Sequence, residues 1–199
     1  MIRRRALPAV CLLLALPLQA QAHTTVEGLN EFTNGLIHPL FTPAHVLVLL
    51  AFGLWTSRLR PFNPRLSLAG FAGASFVGLA ITMSGKGPLP MAVPVIVAVV
   101  AAAIVAADLT LPDRALLALT EIAGLILGLD SPADPGVAGF TLIKTLLGTW
   151  VGLIICFMMP AYYLSLLPER KWAAYGVRIL ASWIIAIAVM VLALSFRKG

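Results

Sequence analysis

Two histidines, His38 and His45, lie at the start of a long apolar run, in the stretch IHPLFTPAHVLVLLAFGLW. Imidazole nitrogens bind divalent transition metals, and ionisable side chains in an apolar segment are costly enough to suggest a functional role. On one straight helix the seven-residue step would put both side chains on one face, about 10.5 Å apart along the axis. One metal ion could not join them there, because zinc–imidazole bonds are only about 2.0–2.1 Å long.

Two prolines interrupt the same stretch. Pro39 and Pro43 lack a backbone N–H donor, and Pro43 also disfavours helical backbone at Thr42. A break there could fold His38 and His45 towards each other, since irregular backbone at membrane depth is tolerated where it lines a cavity or is buried in protein. The alternative interpretation is structural, with His38 at the membrane interface and His45 hydrogen-bonded to a neighbouring helix.

The preceding segment HTTVEGLNEFTNG contains further candidate ligands. If His23 began the mature chain, it would offer both an imidazole and an α-amine. Of the two carboxylates in the segment, Glu31 lies nearer to His38 than Glu27 does. Because nitrogen and carboxylate ligands suit a divalent transition metal, we predict His23, Glu31, His38 and His45 as metal ligands. A solvated tail without a role is the alternative.

Glu121 and Lys144 lie inside later apolar runs, where each ionisable group needs a partner. The helical rise separates these two residues by roughly 10 Å in depth, so Asp130 or Asp134 would meet Lys144 more easily. We predict an Asp130–Lys144 ion pair within an intramembrane polar pocket of Glu121, Asp130 and Lys144. An ammonium at the depth of His45 would weaken cation binding there unless a carboxylate compensates.

Most of these candidate residues lie on predicted membrane helices. Of the 199 residues 60% are hydrophobic and 11% are charged, and the mean hydropathy is +0.99. Several runs reach the roughly 20 apolar residues that cross a hydrocarbon core, which predicts an all-α integral membrane bundle in the lipid bilayer. Breaks rich in Pro, Gly or charge divide it into six predicted spans. These are about 36–57, 66–84, 90–107, 114–130, 138–164 and 172–196.

Residues 1–22 have the pattern of a cleaved signal peptide: basic at 3–5, apolar over 6–18, and Ala-Gln-Ala at 20–22. Residues 23–199 then form the six-span membrane domain, and a retained signal anchor is the alternative. Basic residues concentrate in the loops that would lie inside, in agreement with this orientation. We expect a multi-pass membrane protein whose mature N-terminus lies outside the cytoplasm.

The charge and the cysteine content argue against a nucleic-acid partner and against a disulfide. Signal cleavage lowers the formal charge from +6 to about +3, so the basic balance reflects targeting and topology and predicts no nucleic-acid partner. Cys11 lies in the signal peptide and Cys156 in a membrane run, so the mature chain has no intramolecular disulfide.

Glycine pairs at four-residue spacing, as in Gly124 and Gly128, predict close helix packing in lipid.

The stretch FTNGLIHPLFTPAHVLVLLAFGLW resembles the signature of the HupE/UreJ family, in which a Gly and a His-Pro pair lead to an Asp-His pair before a long apolar run. Gly35, His38, Pro39 and His45 fall on the family's positions without a gap. HupE/UreJ proteins are small six-span bacterial membrane proteins regarded as nickel or cobalt permeases for hydrogenase and urease assembly. The resemblance implies the same fold, the same class of function and a place in the bacterial inner membrane with a periplasmic mature N-terminus.

Several of the family's presumed ligands are absent from this chain. Thr42 and Ala44 stand where the signature has Gly and Asp, so the carboxylate beside the second histidine is missing. The family's fourth span carries His-Gly, two residues, His-Gly, one residue and Glu, which aligns with AGLILGLD. In that stretch Gly124 and Gly128 are kept, Asp130 replaces Glu, and Ala123 and Leu127 replace the histidines. The resemblance therefore implies the fold more strongly than the metal.

Three hypotheses follow for function. The first is a secondary permease for a divalent ion, nickel or cobalt by resemblance, with no permanently bound cofactor. The second is a diverged, non-transporting membrane subunit or assembly factor, within a homo-oligomer or an envelope protein complex. The third, a minor alternative, is an intramembrane hydrolase in which a bound metal activates water. No serine or carboxylate is placed beside the histidines by spacing, so we expect no enzyme.

Overall fold

The computed structural model describes residues 28–59, 61–85, 87–134, 136–168 and 170–197. All regular structure within these ranges is helical, which confirms the predicted all-α fold. The predicted signal peptide and His23 lie outside the described residues. The seven helices are α1 Glu31–Phe41, α2 Pro43–Thr56, α3 Arg65–Thr82, α4 Ala92–Ala106, α5 Asp113–Leu129, α6 Gly139–Ser165 and α7 Lys171–Arg197.

Helices α3 to α7 begin and end within two residues of the predicted boundaries. The first predicted span, 36–57, differs because it consists of two helices, α1 and α2, bent by 74°. Helix α1 also begins earlier than predicted, since the Asn30 side chain accepts a hydrogen bond from Thr33 N at 2.8 Å and caps the helix. One straight first span is therefore replaced by a broken one.

The break lies at Thr42, where proline chemistry predicts it. Thr42 is extended, with φ −101° and ψ 102°, and Pro43 occupies the first position of α2, which needs no N–H donor. The backbone at Thr42 does not continue the helix. The Thr42 side chain donates a hydrogen bond from Oγ1 to the His38 carbonyl at 3.2 Å. The chain can therefore change direction while the end of α1 keeps a hydrogen-bond partner.

Helix α2 lies at the centre of the bundle. Every residue from Ala51 to Thr56 is buried, as expected for a helix that is apolar all round. It packs against α4, α6 and α7, and its first turn lies near the end of α5. Around it the closest helix pairs are α3 with α5, α1 with α6, and α4 with α7.

Glycines allow two of these pairs to pack backbone against backbone. A Cβ added to Gly35 of α1 would collide with the Thr145 carbonyl of α6, and one added to Gly148 would collide with the Phe32 carbonyl. Between α3 and α5, a Cβ on Gly124 would lie 2.6 Å from the Phe71 carbonyl oxygen. The predicted close packing of helices is confirmed at Gly124 and Gly148.

The outer surface is that of a membrane protein. Three helices, α3, α6 and α7, are long and apolar enough to cross a bilayer, and the bent pair α1–α2 can form a fourth crossing. The most apolar of these three crossings, in α7, has a mean hydropathy of 2.6 but is only 17% buried inside the protein, so its apolar side chains face outwards. Helices α4 and α5 have 15 and 17 residues, and six full crossings remain a prediction.

Candidate functional site

The break at Thr42 brings the two histidines of the first span together. Their ring centroids lie 5.7 Å apart in an edge-to-face arrangement with an interplanar angle of 64°. A straight helix would have separated them by about 10.5 Å along its axis. His45 is completely buried in the first turn of α2, while His38 is half-buried in the last turn of α1. The bend thus creates an imidazole pair that the straight arrangement excludes.

His45 is hydrogen-bonded to Asp130, the residue that follows α5. His45 Nε2 lies 3.0 Å from Asp130 Oδ2, and the backbone N–H of Leu89 donates to Asp130 Oδ1, also at 3.0 Å. Asp130 is buried and follows the last residue of α5. Its carboxylate therefore joins α2, the loop before α4 and the end of α5 at one point.

The hydrogen bond to Asp130 determines which nitrogen of His45 carries a proton. An ionised carboxylate only accepts hydrogen bonds, so Nε2 donates, and in the neutral ring Nδ1 keeps its lone pair. His45 Nδ1 is buried and has no hydrogen-bond partner among the described residues. A histidine that donates one N–H to a carboxylate and keeps the other nitrogen free has the arrangement found in metal-ligating histidines.

Lys144 pairs with Glu31, and the predicted Asp130–Lys144 ion pair is wrong. Lys144 Nζ lies 4.0 Å from Glu31 Oε2 and 4.9 Å from the centre of the Phe140 ring. Both side chains of the pair are nearly half exposed. The reason is that α6 packs along α1, which puts Lys144 beside the first turn of α1, while both oxygens of Asp130 are occupied by His45 and Leu89.

The predicted polar pocket of Glu121, Asp130 and Lys144 does not form. Asp130 follows the last residue of α5 and lies nine residues after Glu121, or about 13.5 Å along the helix axis. Helix α5 turns Thr120 and Gly124 towards the interior, which leaves Glu121 exposed with its side chain against Gly70 of α3. Each of the three ionisable groups therefore has different surroundings.

The four predicted metal ligands are brought together only in part. The rings of His38 and His45 lie close together. Glu31 lies two helical turns before His38 and contacts Lys144 instead. In the part of the chain that the structure describes, no group of three His, Cys, Asp or Glu side chains is placed to hold a metal ion together. His23 lies outside the described residues.

The comparisons with known proteins decide the family. The profile of the family described as HupE / UreJ protein matches residues 11–192, which is most of the chain. The chain belongs to the HupE/UreJ family. No curated protein and no solved structure matches it.

The motif residues shared with the HupE/UreJ family have packing roles in this member. Gly35 and Pro39 are the buried residues of α1, and Gly35 faces the backbone of α6. Gly124 and Gly128 face the backbone of α3 at Phe71 and at Ser75. The motif glycines therefore fix the helix pairs between which the histidines and Asp130 lie.

In this HupE/UreJ family member, sequence reasoning missed the partner of His45. Ala44 stands where the resemblance implies a carboxylate beside His45, and Asp130, just after α5, supplies a carboxylate to His45 instead. His45 and Asp130 both lie towards the predicted outer end of their spans. This common depth was the signal from which their pairing could have been predicted. The Leu89 N–H had no signal, because a backbone donor in a loop leaves no trace in residue type.

Proposed function

We propose that this protein is a secondary permease for a divalent transition-metal ion, nickel or cobalt, in the bacterial inner membrane. The observation that carries the proposal is the pair His38–His45, brought to 5.7 Å by the break in the first span, with His45 oriented by Asp130. Membership of the HupE/UreJ family supports the class of cargo. Imidazole suits nickel and cobalt, and geometry rather than softness must select between them and copper or zinc.

The proposed path begins at the end of the bundle where α1 starts, which we take as periplasmic. An arriving cation passes the Glu31–Lys144 pair, exchanges water for His38, and then reaches the buried His45. Asp130 keeps the His45 proton on Nε2, so that Nδ1 offers its lone pair to the ion. The charge of Asp130 also offsets part of the cost of a dication in a buried site.

A site with few ligands suits transport better than storage. The described residues offer two imidazoles and no third ligating side chain in place, so the ion keeps water ligands and is released readily. A closed four-ligand site would hold the ion too tightly for rapid passage, because conduction requires binding that is weak enough to leave.

A second candidate function has its own supporting observation. Both oxygens of Asp130 have partners, so the His45–Asp130–Leu89 cluster also satisfies the requirements of a structural connection between helices. A diverged, non-transporting subunit would keep this cluster for stability alone. The two candidates differ in one measurable respect, since only the permease moves metal.

The test is metal uptake by the purified protein in liposomes that enclose a metal-sensitive fluorescent dye. The permease predicts Ni²⁺ or Co²⁺ influx above that of empty liposomes, and a loss of this influx in His45→Ala. Thr120→Ala is the matched control, because it also shortens a fully buried polar side chain, one that donates only to the Leu116 carbonyl of its own helix. Equal, background-level influx for all three proteins would select the non-transporting subunit.

A further inference from the structure

A second cluster of charged residues surrounds a cavity at the opposite end of α2 from His45. The cavity has a volume of about 400 Å³, within the range of small-molecule sites. It lies where the chain leaves α2 at Ser57, where α4 ends, and where α7 begins. The charged residues that line it are Arg58, Asp108, Arg170, Lys171 and Arg178.

The carboxylate of Asp108 interacts with two of the four cationic side chains, Arg58 and Arg178. Asp108 lies two residues after the end of α4 and adopts the left-handed conformation, with φ 57°. Its carboxylate pairs with Arg58. Arg178 Nη1 lies 3.9 Å from the same carboxylate, and Arg178 Nε donates to the Ala106 carbonyl at 3.0 Å. Both guanidinium groups are thus held at fixed positions on the cavity wall.

The cavity has more positive charge than the described residues neutralise. Four cations face one carboxylate, and Arg170 and Lys171 stand at the start of α7, where the helix dipole adds positive potential. Guanidinium and ammonium groups like those that line this cavity pair readily with the oxygens of a phosphate.

We propose that this cavity binds a phosphate group, carried by an anionic phospholipid or by a soluble phosphate compound, through Arg58, Arg170, Lys171 and Arg178. The cavity is suited to the headgroup of an amphiphile, because Leu164, Leu167 and Val177 line it beside the cations.

Aromatic side chains near the cavity also favour a lipid ligand. Trp172 and Tyr175, in the first turns of α7, are 58% and 57% exposed on the outer surface, as expected for aromatic side chains at the membrane interface. A cationic cavity between helices, close to such aromatic side chains, has the features of a site for anionic lipid headgroups. This proposal does not depend on metal transport.

The test is a lipid titration of the detergent-solubilised protein, followed by native mass spectrometry. Phosphatidylglycerol and the zwitterionic phosphatidylcholine are compared as ligands, and sn-glycerol 3-phosphate and inorganic pyrophosphate are titrated in a separate calorimetric arm. The variant is Arg170→Gln/Lys171→Gln, which removes two exposed charges and leaves the Arg58–Asp108 pair intact. We expect retention of phosphatidylglycerol to weaken by at least about tenfold, from the usual contribution of each cation near an anionic lipid.

The matched control is Arg65→Gln/Arg114→Gln, which removes two exposed charges from outside the cavity. Because the titration is done in detergent, a changed membrane orientation cannot imitate a loss of binding. Selective phosphatidylglycerol binding that only the cavity variant loses supports a lipid source, and binding of the soluble phosphates with the same dependence supports a soluble source. Equal losses in both variants, equal retention of phosphatidylcholine, or no binding of any phosphate compound would overturn the proposal.

Discussion

His45 and Asp130 lie 85 residues apart in the chain, yet His45 Nε2 and Asp130 Oδ2 are 3.0 Å apart in the buried interior of the bundle. This contact fixes the ring of His45 while the break at Thr42 carries His38 to its side. The three residues form the centre of the candidate permease site, and the helix pairs around them are held by glycine contacts.

Asp130→Asn should impair transport more than it impairs folding. An amide has one oxygen where the carboxylate has two, so either His45 or the Leu89 N–H loses its acceptor. We expect metal affinity to fall by about 10–100-fold, as is usual when the partner of a ligating histidine is removed. The measurement is the concentration dependence of Ni²⁺ uptake in liposomes. Asp134→Asn, on the loop that follows α5, should retain wild-type uptake.

Pro43→Ala should reduce the bend between α1 and α2. The substitution restores a backbone N–H and removes the restriction on Thr42, and the Pro43 side chain is exposed, so little packing is lost. Spin labels at Phe32 and Leu50, in a background without native cysteines, report the change by double electron–electron resonance. A straightened first span would move their backbone positions towards about 27 Å apart at 1.5 Å per residue.

The control for the bend is Pro61→Ala, another exposed proline, in the loop between α2 and α3. It should leave the label distance unchanged. A distance distribution that is the same in wild type and Pro43→Ala would mean that packing, rather than the proline, maintains the break.

Gly148→Ala should destabilise the bundle, because the added Cβ collides with the Phe32 carbonyl of α1. Overpacking of this kind typically costs about 1–3 kcal/mol. Gly73→Ala is the matched control, since no atom lies within 4 Å of the corresponding Cβ and alanine is the better helix former. Thermal unfolding in detergent should show a lower midpoint for Gly148→Ala only. Equal midpoints for the two variants would disprove the close α1–α6 contact.

Lys144→Gln should strengthen the uptake of cations at low concentration. It removes an ammonium from the proposed path and releases the Glu31 carboxylate, with which Lys144 pairs at 4.0 Å. Because both side chains are nearly half exposed, we expect the apparent KM for Ni²⁺ to fall by no more than about fivefold. The double variant Glu31→Gln/Lys144→Gln should return the KM towards the wild-type value. A raised KM in Lys144→Gln would contradict the proposed role of this pair.

Much of the fold was predictable because it follows from local chemistry. Apolar runs and their proline or glycine breaks predicted the ends of five helices to within two residues, and Pro43 predicted the break at Thr42. The four-residue glycine spacing predicted the close helix contacts, since a glycine exposes backbone wherever it lies on a helix.

The pairing of charged groups was less predictable because it depends on how helices rotate against one another. Sequence spacing placed Asp130 and Lys144 near the same end of their helices but could not show that Lys144 faces α1. It likewise could not show that Glu121 lies on the outer face of α5, since that choice is made by the glycine face that packs on α3.

The most direct test of the proposed site is the nickel K-edge X-ray absorption spectrum of the purified, Ni²⁺-loaded protein. We expect scattering from histidine imidazoles in the wild type and in Thr120→Ala, and the loss of that scattering in His38→Ala/His45→Ala. A spectrum with the same imidazole scattering in the double variant, or nickel bound only through oxygen ligands in the wild type, would contradict a metal path through His38 and His45.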